Sequence, residues 1–236
     1  MSYGGFPAYV SAAEKQAKAR KKQQTYLKKH PNAQPITLTG SKIAHSFWGK
    51  AWCDNLKYYA DYDNRIGRGR SYIKNGFVFD LHITKGQIKG VVNGSGNKIY
   101  QVTIIIDPIT DNRLIEQIGG HFDSLEELSQ GQFPKTLAEA FLTKENGLFP
   151  NINEIQLGCT CPDWAAMCKH VSAILYAVGA KLDLDPLLLF ELRGIDTNAL
   201  IKKSVAEKMA SLLKNAQSAT SNRIIEDDAI VSEFGL

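Results

Sequence analysis

Gly158-Cys159-Thr160-Cys161-Pro162-Asp163-Trp164-Ala165-Ala166-Met167-Cys168-Lys169-His170 packs three of the chain's four cysteines into ten residues and follows them with a histidine. Three thiols and an imidazole match the closed Cys₃His donor set with which proteins hold structural zinc. The spacing makes geometric sense. A C-x-C pair at the end of a strand aims two thiolates at one ion if the chain turns between them, and Pro162-Asp163 favours that turn. Cys168 and His170 are two residues apart, which a regular helix would place on different faces. They converge if Cys168 is the non-helical start, and His170 the first turn, of an apolar helix over Val171–Leu182. The competing reading is a buried cluster of unligated thiols. Cys159, Cys161, Cys168 and His170 are therefore the expected metal ligands, with zinc as the expected ion.

The flanks supply the framework. Ile152–Leu157 reads as a short strand leading into the cysteines. Beyond the helix, Asp185-Pro186 caps and opens a further one that Gly194 ends, and Asp196 caps a last helix through Leu213. Residues 215–236 are acidic and loosely patterned (IIEDDAIVSEF). Upstream, Phe47, Trp48, Ala51, Trp52, Leu56 and Tyr59 recur at helical spacing. Phe77, Phe79, Leu81 and Ile83 then alternate with polar or solvent-facing positions, Lys85-Gly86 makes a turn, and Gln87–Val92 and Ile99–Ile106 follow as strands. Ser71–Lys74 is an additional short strand on this reading. Residues 111–145 return to helical spacing, with Leu114, Ile115, Ile118, Leu125, Leu128, Leu137, Phe141 and Leu142.

The expected fold is α+β. It has a basic arm and linker over 1–40, a helix packed on an antiparallel sheet over 41–110, and a helical connector over 111–150. A zinc-stapled unit with helices after the finger occupies 151–214, and an acidic tail 215–236.

Charge divides along the same line. Residues 1–106 carry 17 Lys/Arg against 5 Asp/Glu, and residues 107–236 carry 11 against 19, within an overall +4. A basic half collects phosphates where an acidic half repels them. Residues 11–30 hold seven Lys/Arg and one acid and read as a solvated arm, partly helical. Arg65, Arg68, Arg70 and Lys74, with Gly67 and Gly69 between them and Tyr72 available to stack on a base, have the make-up of a phosphate-binding loop. A solvated turn before a strand has the same make-up. These five cationic and aromatic side chains are the expected nucleic-acid contacts.

Other features read blandly. Cys53 on the aromatic helix lies eight residues from His45 and is expected as a small buried hydrophobe, not a nucleophile. Trp164, between ligands, is expected to pack beneath the finger, with an exposed partner anchor as the alternative. No run approaches the roughly 18 apolar residues of a membrane span, and the first residues lack an apolar signal core. Together with clustered, unpaired cysteines, this suggests a cytoplasmic protein.

At the cysteine segment the sequence resembles the SWIM zinc-finger family, whose signature is C-x-C, a variable gap and C-x-H. Trp48-Gly49-Lys50-Ala51-Trp52, the stretch Arg65–Tyr72 and Asp185–Gly194 extend the resemblance to bacterial SWIM proteins over about residues 45–195. That resemblance implies zinc, binding to DNA or protein, and partnership with a SWI/SNF-type helicase-like ATPase. It implies an adaptor and not an enzyme. For the basic half, either DNA or RNA is the expected nucleic acid. The rival reading is a subunit that docks on the ATPase without touching nucleic acid. A hydrolytic metal site fits poorly, because four protein ligands leave no position for water.

Overall fold

The computed structural model describes residues 10–94, 98–110 and 147–218. Residues 111–146 of the connector expected over 111–150, and 219–236 of the tail expected over 215–236, lie outside the described residues; 215–218 continue the last helix. Three helices come first: α1 (Ala12–Lys29), α2 (Phe47–Asn55, continued by a 3₁₀ turn at Leu56–Tyr58) and α3 (Asp63–Lys74). Strands β1 (Val78–Thr84), β2 (Gln87–Asn93) and β3 (Ile99–Ile106) form the expected meander, with Gly86 at φ 70° in the β1–β2 turn. Strand β4 (Ile155–Cys159) then pairs antiparallel with β3, so the sheet order is β1-β2-β3-β4. Helices α4 (Lys169–Leu182), α5 (Leu187–Leu192) and α6 (Thr197–Ser218) complete the described chain. The α+β class is as read, and a helix does pack on the antiparallel sheet.

The helix in that place is α4, with α2 and α3 on its far side. Eleven of its fourteen residues are buried, which explains why its sequence is apolar around nearly its whole circumference. Ile88, Val102, Ile104 and Leu81 form the sheet floor beneath it. Gly90 removes the side chain that would otherwise meet Ile174. On the outer side, Trp52 is 1% exposed and its indole N–H donates to Leu175 O at 2.8 Å. The C-terminal end of α4 is tied to the start of α2 by Asp183, whose carboxylate accepts from Ser46 N at 2.9 Å and Ser46 Oγ at 2.6 Å. Strand β4 and α4 thus share one core with the N-terminal half.

Three local expectations need correction. Residues 63–74 are helix, not loop and short strand. Ile66 and Ile73 lie seven apart on the buried side, and Gly69 is the point where α3 meets α4: a Cβ there would overlap Ser172. The glycines that suggested a loop instead permit close helix approach. Residues 12–29 are a docked helix rather than a solvated arm. A capping box joins Ser11 and Glu14, Ala19 is buried, and Gln16 donates to Lys74 O at 3.2 Å. Finally, the alternation along β1 breaks at a bulge: Val78 faces Val92 and Asp80 faces Val91, leaving Phe79 as the extra residue. Phe79 leaves the α4 side of the sheet and packs against Tyr26 of α1, ring centroids 5.9 Å apart.

After α4 the caps fall as expected. Leu187 N donates to Asp185 Oδ1 (3.0 Å), Gly194 takes φ 76°, and Ala199 N donates to Asp196 Oδ1 (3.1 Å). Arg193, 2% exposed, pairs with Glu154 at 2.8 Å and donates to Asp107 O at 2.6 Å, fastening α5 to the ends of β3 and β4. No helix among the described residues is long and apolar enough to cross a membrane.

Candidate metal centre

Cys159 ends β4, opposite Val102 of β3. The ladder continues one residue further, because Thr160 N donates to Gln101 O and Gln101 N to Thr160 Oγ1, both at 3.0 Å. The first ligand pair is therefore anchored to the sheet. Cys168 is the N-cap of α4, with extended backbone (φ −67°, ψ 167°) and a sulfur accepting from Val171 N at 3.5 Å. His170 lies in the first turn of α4. This is the arrangement that the two-residue spacing requires.

The four donor atoms of Cys159, Cys161, Cys168 and His170 lie within 4.8 Å of one another. His170 Nδ1 stands 3.9 Å from both Cys159 Sγ and Cys168 Sγ. Metal–sulfur and metal–nitrogen bonds of about 2.3 and 2.0 Å in a tetrahedron imply separations of about 3.5 Å between sulfur and nitrogen and about 3.8 Å between sulfurs. The cluster is thus within a few tenths of an ångström of a bound geometry at these edges, and it can hold a metal ion. Cys168 and His170 are buried, while Cys159 and Cys161 are half-buried.

Protonation of the thiols follows from crowding. The hydrogen bond from Cys159, despite the opposing effect of burial, pulls Cys168 down to about 4. Cys159 is pushed above the ordinary thiol range, first by hydrogen bonding to Cys168 and then by burial; burial also raises Cys161. Several negative sulfurs in so small a volume repel one another, which disfavours full deprotonation of the cluster. A cation removes that penalty, and the amino-terminal end of α4 adds positive potential.

Two aromatic rings fix the imidazole. Tyr100 of β3 lies 4.6 Å from the His170 ring and Tyr72 of α3 5.4 Å from it, edge-on. Nε2 is buried without a hydrogen-bond partner among the described residues. Ligand histidines more often fix that nitrogen with a hydrogen bond, and here these ring contacts orient the imidazole.

The loop between the ligand pairs is held from outside. Asp61 accepts from Ala166 N (2.9 Å) and Met167 N (3.2 Å). Asp163 pairs with Arg65 at 3.0 Å and accepts from Ala165 N at 3.3 Å. Neither carboxylate stood out in the sequence; the only hint for Asp163 was its place after proline in a turn. The same loop turns Trp164 outward, 78% exposed, with Tyr62 edge-on at 5.2 Å. The expectation that Trp164 packs beneath the finger is therefore corrected: its indole lies exposed on the surface.

The five residues expected to contact nucleic acid do not form one open loop. Arg65 is committed to Asp163. Arg70 donates to Tyr176 Oη at 3.1 Å, though it remains exposed. Tyr72 is half-buried between Phe77 and His170, with Lys169 over its ring at 5.4 Å. Arg68 and Lys74 are exposed on α3. Cys53 is half-buried and abuts Gly179, and burial pushes its thiol up to about 12, as suits a packing residue.

No family model matches the chain, and no solved structure matches it. An uncharacterized protein of Mycobacterium tuberculosis, Rv2102, is 28% identical over 174 residues, which is 72% of this chain and 62% of that protein. The chain thus spans less than two thirds of the length of this curated relative.

Proposed function

We propose that Cys159, Cys161, Cys168 and His170 bind one zinc ion and that the chain is a non-catalytic, SWIM-type adaptor engaging nucleic acid, a partner ATPase, or both. The observation that carries this reading is the closed four-donor cluster with Trp164 projecting from its loop. With all four positions taken by protein, the ion supplies folding free energy to the segment and leaves no site for substrate. The ion fixes Cys159 and Cys168, Asp61 and Arg65 fix the span between them, and Trp164 with Tyr62 is presented as a rigid aromatic pair. Such pairs are favoured anchors at protein interfaces and sequence-tolerant platforms for bases.

Pure docking on an ATPase of the SWI/SNF type is the second reading, and the commitment of Arg65 to Asp163 favours it. Affinity purification with and without nuclease separates the two. An ATPase retained after nuclease, and lost in Trp164→Ala, supports docking. Nucleic acid as the sole partner supports the other branch. Metal analysis should return one zinc per chain; its absence from protein purified without chelators would sink the whole reading.

A further inference from the structure

We infer that the groove between α1 and the outer face of the sheet is a binding site for one or two unpaired nucleotides of a single-stranded nucleic acid; this rests on the nucleic-acid branch proposed above. The groove encloses about 650 Å³, within the range of small-ligand sites. Its existence depends on the bulge in β1, which turns Phe79 away from the main core and under α1. Tyr26, stacked on His30 at 4.2 Å between ring centroids, stands beside Phe79 and supplies aromatic surface on which a base can lie.

Charge selects the ligand. Lys21 and Lys29 are exposed on α1 at the groove's rim, and no acidic residue lines it among the described residues. Asp80, next to Phe79 on β1, accepts from Gln34 N at 2.7 Å and pairs with His82 Nε2 at 3.0 Å. An apolar aromatic floor beneath a cationic rim fits a ligand with a flat ring at one end and phosphate at the other. The groove also has a polar reader. Asn93 is 4% exposed and borders the groove. A carboxamide offers one acceptor and two donors, the complement of a base edge. Bases in a duplex keep their faces stacked, so only an unpaired strand can place one on this floor.

The test uses the full zinc-loaded chain, a labelled 12-nucleotide DNA and the matching duplex, with anisotropy read over a salt series. Lys21→Glu/Lys29→Glu, both at exposed positions, should weaken single-strand binding by about tenfold or more and flatten the salt slope. Asn93→Asp should weaken single-strand binding about fivefold or more while leaving duplex binding nearly unchanged. Photocrosslinking of a 5-bromouracil-substituted strand to the unmodified chain should mark the peptide containing Tyr26, which keeps the test informative if Asn93→Asp fails to fold. Equal losses on single strand and duplex would reduce the groove to a nonspecific cationic surface and overturn the inference. Intact binding in the Lys variant with crosslinks at Trp164 would overturn it while leaving the nucleic-acid branch standing. No single-strand binding by the unmodified chain even at low salt would overturn both.

Discussion

The two ends of α4 are held by different physics. Its C-terminal half is clamped by packing: Trp52 covers it, Gly49 and Gly179 bring α2 into close contact, and Asp183 reaches back to Ser46. Its N-terminal end brings Cys168 and His170 to the thiols of Cys159 and Cys161, where the other half carries apolar side chains. Those last two thiols are only half-buried. The difference teaches where this fold needs a cross-link. Where aromatic bulk is available the helix docks by burial, and where the loop at 160–167 lies at the surface, four candidate ligands and two carboxylates replace burial.

Removing the metal centre should therefore produce the largest effect, and a local one. Cys161→Ala, or chelation, is expected to abolish stoichiometric metal and release the amides of residues 159–172 to hydrogen exchange. Apparent zinc contributions of about 10–16 kcal/mol in zinc-finger peptides set the upper scale. Persistent protection of those amides in the metal-free protein would erase the distinction between the two ends. Trp52→Ala probes the other end and should cost about 3–5 kcal/mol in denaturant unfolding, as large-to-small core changes do. Its folded fraction should keep full metal content; coupled loss of metal would show that the ends are not independent.

Asp61→Ala sharpens the comparison at the loop. Two backbone amides lose their acceptor, and metal affinity measured by chelator competition should fall by about tenfold, in the range of outer-shell substitutions. Unchanged affinity would make the loop's external ties incidental to the centre. The smallest effect concerns Cys53. With its thiol raised by burial to about 12, it should resist iodoacetamide at pH 8 in folded protein while the metal-stripped cluster reacts. The sign follows from the raised value. The protonated thiol favours the folded state fully below about pH 9, and that preference is lost as pH rises through about 12. Rapid labelling of Cys53 at pH 8 would mean the packed end opens as readily as the metal end.

Legibility in the sequence followed the same division. The four ligands, the start of α4 and the caps of α5 and α6 are local chemistry, and their spacing announces them. Helix α3 was hidden because Gly69 answers to Ser172, about a hundred residues further on, and neither position carries information about the other. Phe79 continued a clean alternation that the bulge interrupts, and the bulge has no signature of its own. The docking of α1 rests on the small buried Ala19, the Tyr26–Phe79 contact and glutamine hydrogen bonds to backbone carbonyls, in a largely polar helix. Trp164 looked like core by residue type, but a nine-residue loop tied at both ends had no interior in which to place it.

The position of α4 in the chain has a consequence for biosynthesis. The apolar side of β1–β3 and the inner sides of α2 and α3 are complete by residue 106, yet their common cover arrives only with residues 169–182. At a synthesis rate of about 5–20 residues per second, a ribosome carries that uncovered surface for several seconds. During that interval the nascent chain is a ready client for holding chaperones, and a message truncated ahead of α4 would yield an aggregating product.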